Sequence, residues 1–206
     1  MTELATLFDE RAARAAMLVP STLKTALLAY YEVLTRWNRK INLTALSDPA
    51  AAIDRLLLEP VSAAEHLPRE VPMADLGSGG GSPAIPLALA LQAPSLLMVE
   101  SRSRKAAFLR EAAREVGIRS TVEPVRFEEL MAQPRHLNSV DLVTMRAVTP
   151  DETVLQLAQR LSRTGAVVAV FASQDDVTAI PSGFSKGSTW NIRPSGMLIT
   201  FHVEHD

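Results

Sequence analysis

Residues 75–90 read DLGSGGGSPAIPLALA, and this stretch decides the fold of the chain. It holds four of the nine glycines and leads directly into an apolar run. Because glycine costs conformational entropy on folding, such a cluster indicates positive φ angles or a backbone that a ligand approaches closely. The apolar MADL before the glycines and the run from Pro83 after them predict a strand, a glycine turn and a helix. In open α/β sheets, ligands bind at this junction, beside the N–H groups of the helix N-terminus.

Strands and helices alternate from this stretch to Phe171. Short apolar runs predict strands at MADL (73–76), SLLMVE (95–100), STVEPV (120–125), VDLVTM (140–145) and GAVVAVF (165–171). Segments of helical character lie between them at residues 83–91, 104–116 and 151–161, the second closed by Gly117 at a position that favours left-handed φ. This alternation predicts a parallel sheet. The terminal STWNIRPSGMLITFHVE predicts an antiparallel hairpin that turns at Pro194-Ser195-Gly196.

Residues 1–70 have a helical pattern and no strand signal. Apolar side chains repeat in steps of four and three, as on one face of a helix, at Leu23, Leu27, Tyr30, Leu34 and Trp37. Ser21 is the predicted N-cap of this helix, which should end near Asn38. A second helix is predicted over residues 49–66, with a kink or break at Pro60. We therefore expect a helical cap over residues 1–70, packed on a main domain over residues 71–206.

Composition excludes several classes of protein. With 47% hydrophobic and 21% charged residues among 206, the chain has enough apolar material for a sizeable core. The absence of cysteine excludes disulfides, thiolate zinc sites and a cysteine nucleophile, and no metal site is predicted. The first residues, MTELATLFDERAARAAM, lack the apolar stretch of a secretory signal, and no apolar run is long enough to cross a bilayer. We expect a cytoplasmic protein without membrane association.

The glycine stretch distinguishes two kinds of ligand. A dinucleotide fingerprint needs G-x-G-x-x-G, and here Gly77, Gly79 and Ser82 fall at those positions, so the third glycine is missing. Asp75, at the end of the strand, would place a carboxylate against a pyrophosphate, which is electrostatically unfavourable. The same carboxylate suits a ligand that carries an ammonium group and no phosphate. The stretch therefore favours S-adenosylmethionine over a nicotinamide cofactor.

Four further residues lie where a doubly wound sheet binds its ligand. Glu100 ends the second predicted strand, where an acid accepts hydrogen bonds from both ribose hydroxyls of a nucleoside. Phe127 and Glu128 follow the third strand and are candidates for contacts with adenine. Arg146 ends the fourth strand beside the crevice, where its guanidinium would either orient the cofactor or acceptor base or form a surface ion pair.

Several of these residues occur together in a known family. The motifs are Trp37-Asn38 with Asn42-Leu43-Thr44, Asp75 to Leu87, Glu100-Ser101 with Lys105 and Phe108-Leu109, Arg126-Phe127-Glu128-Glu129, and Arg146-Ala147. In this order and spacing the chain resembles the ribosomal small-subunit RNA guanine-N7 methyltransferases, also called the glucose-inhibited division protein B family. The glycine motif is shared by many methyltransferases, whereas W-N-x-x-x-N-L-T is close to diagnostic.

The resemblance implies a fold, a cofactor and a substrate. The fold is an α/β Rossmann-like class I methyltransferase sheet, mostly parallel with an antiparallel terminal hairpin, and an N-terminal helical cap. The cofactor is S-adenosyl-L-methionine, and the partner is small-subunit ribosomal RNA or the ribosomal subunit, bound by a monomer. By motif match, cofactor or active-site positions fall at Gly77, Gly79, Gly81, Ser82, Glu100, Phe127, Glu128 and Arg146, the last also the candidate catalytic residue.

The chain departs from the family pattern at three places. Phe171-Ala172-Ser173 replaces a usual Leu-Lys-Gly, Leu56 to Pro60 replaces His-Ile-Leu-Asp-Ser, and Gly196-Met197 replaces Arg-His. All three are expected on the RNA side. A methyltransferase of the same fold with another substrate and a non-catalytic cofactor- or RNA-binding regulator therefore stay open, whereas a nicotinamide oxidoreductase is disfavoured by Asp75 and Ser82.

Local charge bears on the RNA hypothesis. The formal net charge of −2 argues against a protein that coats nucleic acid. Basic residues nevertheless cluster at Arg36, Arg39 and Lys40, and at Arg102, Arg104, Lys105, Arg110 and Arg114. On charge alone these are solvated helix faces; if the substrate is RNA, they are expected to contact phosphates.

Overall fold

A computed structural model of the chain describes residues 2–172 and 182–204, so Ser173 lies outside the described residues. The helices are α1 (Thr2–Arg14), α2 (Ser21–Asn38), α3 (Pro49–Ile53), α4 (Glu59–Ala63), α5 (Ala84–Leu91), α6 (Ser103–Glu115), α7 (Phe127–Met131) and α8 (Glu152–Leu161). A π-helical turn (Asp54–Leu58) joins α3 to α4, and a 3₁₀ turn (Ala64–His66) follows α4. The strands are β1 (Met73–Leu76), β2 (Leu96–Val99), β3 (Ser120–Glu123), β4 (Val140–Arg146), β5 (Ser162–Ala172), β6 (Phe184–Ile192) and β7 (Gly196–Val203).

Over the described ranges, the strands form one seven-stranded sheet in the order β3-β2-β1-β4-β5-β7-β6. Strands β1 to β5 pair in parallel, and β7 pairs antiparallel with both β5 and β6. The predicted alternation and the terminal hairpin are confirmed, with the turn between Ile192 and Gly196. The fold is an α/β Rossmann-like sheet of the class I methyltransferase type. None of the described helices is both long and apolar enough to span a membrane.

Helices cover both faces of the sheet, because alternate strand residues point to opposite sides. On one side, Met73 and Met98 pack with side chains of α2, α5 and α6, including the fully buried Tyr30 and Phe108. On the other side, Ala74, Leu97 and Val143 pack with α7 and α8. Each large apolar side chain buried in this way contributes roughly 1.5–3 kcal/mol relative to an exposed one.

Helix α2 begins and ends almost as its apolar pattern predicts. It spans Ser21–Asn38, but the N-cap position belongs to Pro20, which makes no side-chain cap hydrogen bond. The predicted Ser21 cap is therefore wrong by one residue. The phenol of Tyr30, halfway along α2, donates to the carbonyl of Gly80 at 2.5 Å and ties the N-terminal helices to the glycine loop.

The helical segment of residues 49–66 continues through Pro60 without a break, but it is irregular at the point where a kink or break is predicted. A π-helical turn precedes the proline, and the N–H of Glu59 donates five residues back, to the carbonyl of Asp54. Since Pro60 has no N–H, the carbonyl of Arg55 receives no donor from either residue that would normally follow it in the helix. The side chain of Arg146 donates to this carbonyl at 2.7 Å.

Candidate active site

A cavity of about 640 Å³ opens at the carboxyl ends of β1, β2, β3 and β4. Seven of the predicted site residues line it: Gly77, Gly79, Ser82, Glu100, Phe127, Glu128 and Arg146. Two others do not line it: Asp75 is buried beneath the glycine loop, and Gly81 lies in the part of the loop that packs against helices. The sheet thus brings together residues from four separate connections at the edge where such sheets bind their ligands.

The glycine loop has positive φ angles at Gly79 (+49°) and Gly81 (+82°), but the two positions differ in their surroundings. A side chain at Gly79 would have as its nearest neighbours the carbonyl of Gly77 at 3.7 Å and the amine of Lys105 at 4.0 Å. A Cβ at Gly81 would lie only 3.1–3.3 Å from Ile85, Tyr30 and Leu109. Gly79 therefore leaves the cavity wall open, whereas Gly81 lets the loop pack against its own helices.

The carboxylate of Glu100 fixes the glycine loop and faces the cavity. One oxygen accepts from the N–H of Gly79 at 3.0 Å, and the other accepts from the N–H of Arg102 at 2.8 Å. The residue is only 8% exposed. Since an ionised carboxylate accepts about four hydrogen bonds, roughly two lone pairs stay available to hydroxyl groups in the cavity.

Asp75 is 1% exposed and does not reach the cavity. In β1 it points to the same side as Met73, under α2 and α5, and its carboxylate accepts from the hydroxyl of Thr144 on β4 at 2.6 Å. Burial raises the pKa of Asp75 to about 6, although the hydrogen bond from Thr144 acts to lower it. The expectation that this carboxylate faces a ligand's ammonium group is not met by its position.

Arg146 lies at the end of β4 with its side chain 10% exposed. Its guanidinium donates to the carbonyl of Arg55 at 2.7 Å, to the hydroxyl of Ser82 at 3.4 Å and to the carboxylate of Glu59 at 3.1 Å. It also stacks on the ring of Phe171, its neighbour on β5, at 4.6 Å. Burial lowers the pKa of Arg146 to about 10, so it stays protonated at neutral pH. Within the described residues, its buried Nε has no hydrogen-bond partner.

Glu59 is the site residue that sequence reasoning missed. Its side chain is 2% exposed and accepts from both Arg146 and Arg55, each at 3.1 Å. Burial raises the pKa of Glu59, while the charges of Arg146 and Arg55 act in the opposite direction. The segment of residues 56–60 had been expected on the RNA side, yet Leu56 lines the cavity. One signal in the sequence could have indicated Glu59: it stands where the family pattern His-Ile-Leu-Asp-Ser has its aspartate.

The W-N-x-x-x-N-L-T motif forms another wall of the cavity. The side chain of Asn38 accepts from the N–H groups of Leu43 and Thr44 at 2.8 and 3.0 Å and donates to the carbonyl of Thr44 at 3.2 Å. Leu43 and Thr44 both line the cavity. The ring of Trp37 packs edge-on against Phe108 of α6, with centroids 6.1 Å apart. The motif therefore closes a turn, and its tryptophan packs this turn against α6.

Basic side chains surround the mouth of the cavity. Arg55, Arg102, Lys105 and Arg126 line it together with Arg146. A neighbouring groove of about 600 Å³ shares Arg102 and Lys105 with the cavity and adds Lys40 and Arg104. Among the described residues, ion pairs engage Arg36, Arg55 and Arg146 but none of the four side chains in the groove. We call Lys40, Arg102, Arg104 and Lys105 the basic rim; its uncompensated charge suits a polyanion.

The sequence matches one family along most of its length. The family model described as "rRNA small subunit methyltransferase G" matches residues 23–180. The "Ribosomal RNA small subunit methyltransferase G" of Stenotrophomonas maltophilia (strain K279a) is 33% identical over 183 residues, which are 87% of this chain and 81% of that protein. The protein of the same name from Azoarcus sp. (strain BH72) is 29% identical over 90% of this chain and 87% of its own length.

Solved structures resemble the chain in fold. A putative O-methyltransferase from Klebsiella pneumoniae covers 96% of both chains with a TM-score of 0.60 at 16% identity. A SAM dependent methyltransferase from Aquifex aeolicus matches 84% of this chain and 98% of its own with a TM-score of 0.58 at 12% identity.

Proposed function

The chain belongs to the small-subunit ribosomal RNA methyltransferase G family. We propose that its site transfers a methyl group from S-adenosyl-L-methionine to N7 of a guanine in small-subunit ribosomal RNA. The observation that carries the proposal is the convergence of the glycine loop, Glu100 and Arg146 on one cavity. The family match makes the chain a methyltransferase, so neither a nicotinamide oxidoreductase nor a non-catalytic regulator is needed to account for the site.

The cavity fits the cofactor by the donors and acceptors it presents. Glu100 has lone pairs beyond those taken by the backbone and is assigned the ribose hydroxyls. Gly79 leaves room for close approach, and Phe127 and Glu128 line the wall proposed for adenine. The buried Nε of Arg146 offers a donor without a partner in the described residues. When bound, S-adenosyl-L-methionine supplies an electrophilic methyl group on its sulfonium.

Methylation of N7 sets few chemical demands on the protein. N7 of guanine has a lone pair and no proton, so no general base is required, and no histidine is among the described residues that line the cavity. What remains is to hold the base in line at near-attack distance, which accounts for much of the rate gain in such reactions. Arg146 and Arg55 supply N–H donors suited to O6, which lies beside N7 on the same edge of the base.

The basic rim supports RNA as the substrate. Its four cations line the groove beside the cavity and are suited to phosphates of the strand that presents the target guanine. We further propose that the protein acts as a monomer in the cytoplasm on small-subunit RNA or the subunit. We propose residues 1–70 as a cap on the domain of residues 71–206, since Tyr30 and Asn38 of α2 support the glycine loop and one cavity wall.

The test is methyl transfer by purified protein to small-subunit RNA and to subunits from a strain that lacks the gene. Arg146→Ala should lower kcat/KM by a factor of about 100, or roughly 2.7 kcal/mol of transition-state stabilisation. Arg146→Lys keeps a cation beside Glu59 but loses the planar fork, so it should recover little activity.

Arg163→Ala is the matched control. Arg163 pairs with Asp141 at the amino ends of β5 and β4, whereas the cavity lies at the carboxyl ends of the strands. Its loss should therefore leave methyl transfer unchanged. Thermal melting separates folding from catalysis in all three variants. Near wild-type turnover in well-folded Arg146→Lys and Arg146→Ala would show that this arginine is structural.

A further inference from the structure

We propose that the Glu59–Pro60 turn, which comprises Asp54–Leu58, Glu59 and Pro60, is a positioning device for the guanidinium of Arg146. It presents two acceptors to that side chain, the carboxylate of Glu59 and the carbonyl of Arg55. The inference rests on the proposed function, because it concerns the orientation of a residue assigned to the methyl-transfer site.

The first acceptor acts through charge. Arg146 is buried except for a small part of its side chain, and a buried cation is costly unless a carboxylate pairs with it. Glu59 is even less exposed and provides that carboxylate, while its remaining lone pairs accept from Arg55. One negative charge therefore holds two guanidinium groups, and the cluster retains net positive charge at the cavity wall.

The second acceptor, the carbonyl of Arg55, is available because no backbone N–H of the helix occupies it. The N–H of Glu59 donates to Asp54, and Pro60 has no N–H, so the helix itself leaves the carbonyl of Arg55 to another donor. Arg146 takes this carbonyl at 2.7 Å. The carbonyl of Leu56, which Pro60 also leaves without its α-helical donor, accepts from the hydroxyl of Ser82 at 2.9 Å. Two residues of the cavity are thus fixed by carbonyls that the proline releases.

The turn also separates the cofactor cavity from a second cavity. This second space, about 660 Å³, is lined by Arg55 and by residues of the β6–β7 turn. Arg55 lines both cavities, and its guanidinium pairs with the buried carboxylate of Glu59. Gly196, the first residue of β7, packs so closely on Glu59 that an added Cβ would be 3.0 Å from the carboxyl carbon. The orientation of Glu59 therefore determines the positions of the guanidinium groups of Arg55 and Arg146.

The experiment removes the charge of Glu59 and compares it with a matched buried carboxylate. Glu59→Gln should lower kcat/KM for small-subunit RNA at least tenfold and the affinity for S-adenosylhomocysteine, measured by calorimetry, at least fivefold. Glu59→Asp keeps the charge and should stay within about fivefold of wild type in kcat/KM. Glu123→Gln is the control, because Glu123 is also buried and pairs with Arg135 and His136, and it does not line the cavity. It should leave both quantities within about twofold.

A double-mutant cycle distinguishes positioning from stability. If Glu59 acts through Arg146, Glu59→Gln should cost less than about threefold in an Arg146→Lys background. Pro60→Ala keeps every charge and returns an N–H that competes for the freed carbonyls; it should fold normally and lower kcat/KM at least threefold. This variant decides the matter if Glu59→Gln does not fold.

Three results would overturn the inference: losses in Glu59→Gln no larger than in Glu123→Gln, full additivity with Arg146→Lys, or wild-type kinetics in Pro60→Ala. Failure of the wild-type protein to methylate RNA would instead strike the proposed function, and the calorimetric comparison of Glu59→Gln with Glu123→Gln would then judge the positioning role alone.

Discussion

At the scale of single residues, Gly79 and Gly81 share a positive φ angle but have different neighbours. A methyl group at Gly79 would contact little, so Gly79→Ala should cost only the strain of left-handed backbone, about 1–2 kcal/mol. It should reduce cofactor affinity at least tenfold, because the added group lies on the cavity side. Gly81→Ala must displace Tyr30, Ile85 or Leu109 and should lower the melting temperature much further. Calorimetry with S-adenosylhomocysteine and thermal melting measure the two effects.

The two glycine variants control each other. Both change the same residue type within one loop, so a general loosening of the loop would affect them alike. Unchanged cofactor affinity in a folded Gly79→Ala protein would remove this residue from the cofactor site. Equal losses of stability in the two variants would contradict the different packing described for them.

Residue roles were predictable where a motif fixes local geometry and not where partners are distant in sequence. Gly79 and Glu100 follow from a strand, a turn and a second strand end, and the structure brings both to the cavity. The contact between Glu59 and Arg146 spans 87 positions, and no local pattern encodes it. Asp75 was placed at the correct strand end, but its burial under α2 and α5 depends on tertiary packing that the local sequence does not encode.

At the scale of elements, the amino-terminal turn of α6 is expected to contact RNA phosphates. Arg102 and Arg104 stand at this end of the helix and Lys40 lies across the groove. RNA affinity should fall with the logarithm of salt concentration, and Arg104→Glu should reduce the slope by about 1, the loss of one phosphate contact. Filter binding or anisotropy at several salt concentrations measures it.

Arg114→Glu is the control for this charge reversal. Arg114 is exposed near the far end of the same helix, roughly 15 Å along its axis from Arg104 at 1.5 Å per residue. Although the basic cluster in the sequence includes Arg114, this side chain does not line the groove. Its substitution changes net charge equally but should leave the slope unchanged. Equal effects of the two substitutions would indicate a response to overall charge and would count against the basic rim as the phosphate-binding surface.

Elements themselves were predictable when one period dominated their sequence. The apolar steps of α2 give Ser21–Asn38, and the hairpin follows from Pro194-Ser195-Gly196 between two β-rich runs. Pro60 predicts an irregularity in this helical segment but not its form, because a helix can continue without a break when the turn before the proline is not α-helical. A π-helical turn shifts the donor of Glu59 and accommodates the ring.

At the scale of the whole molecule, the site depends on parts that lie far apart in the chain. Helix α2 supports the glycine loop through Tyr30, the Glu59–Pro60 turn holds Arg146, and the sheet supplies the remaining walls. The strand alternation predicted the sheet. The way in which the N-terminal helices pack on it could not be derived from periodicity, because the contacts are made by single side chains, such as Tyr30 with Gly80 and Trp37 with Phe108.

The most direct test of the account measures the product in small-subunit ribosomal RNA itself. Nucleosides from this RNA, purified from cells with and without the gene, are compared by mass spectrometry, and the modified position is mapped in the RNA. The account predicts that N7-methylguanosine decreases without the gene, at a single guanine, and returns with the wild-type gene but not with Arg146→Lys. Equal amounts of N7-methylguanosine in both strains, or full restoration by Arg146→Lys, would contradict it.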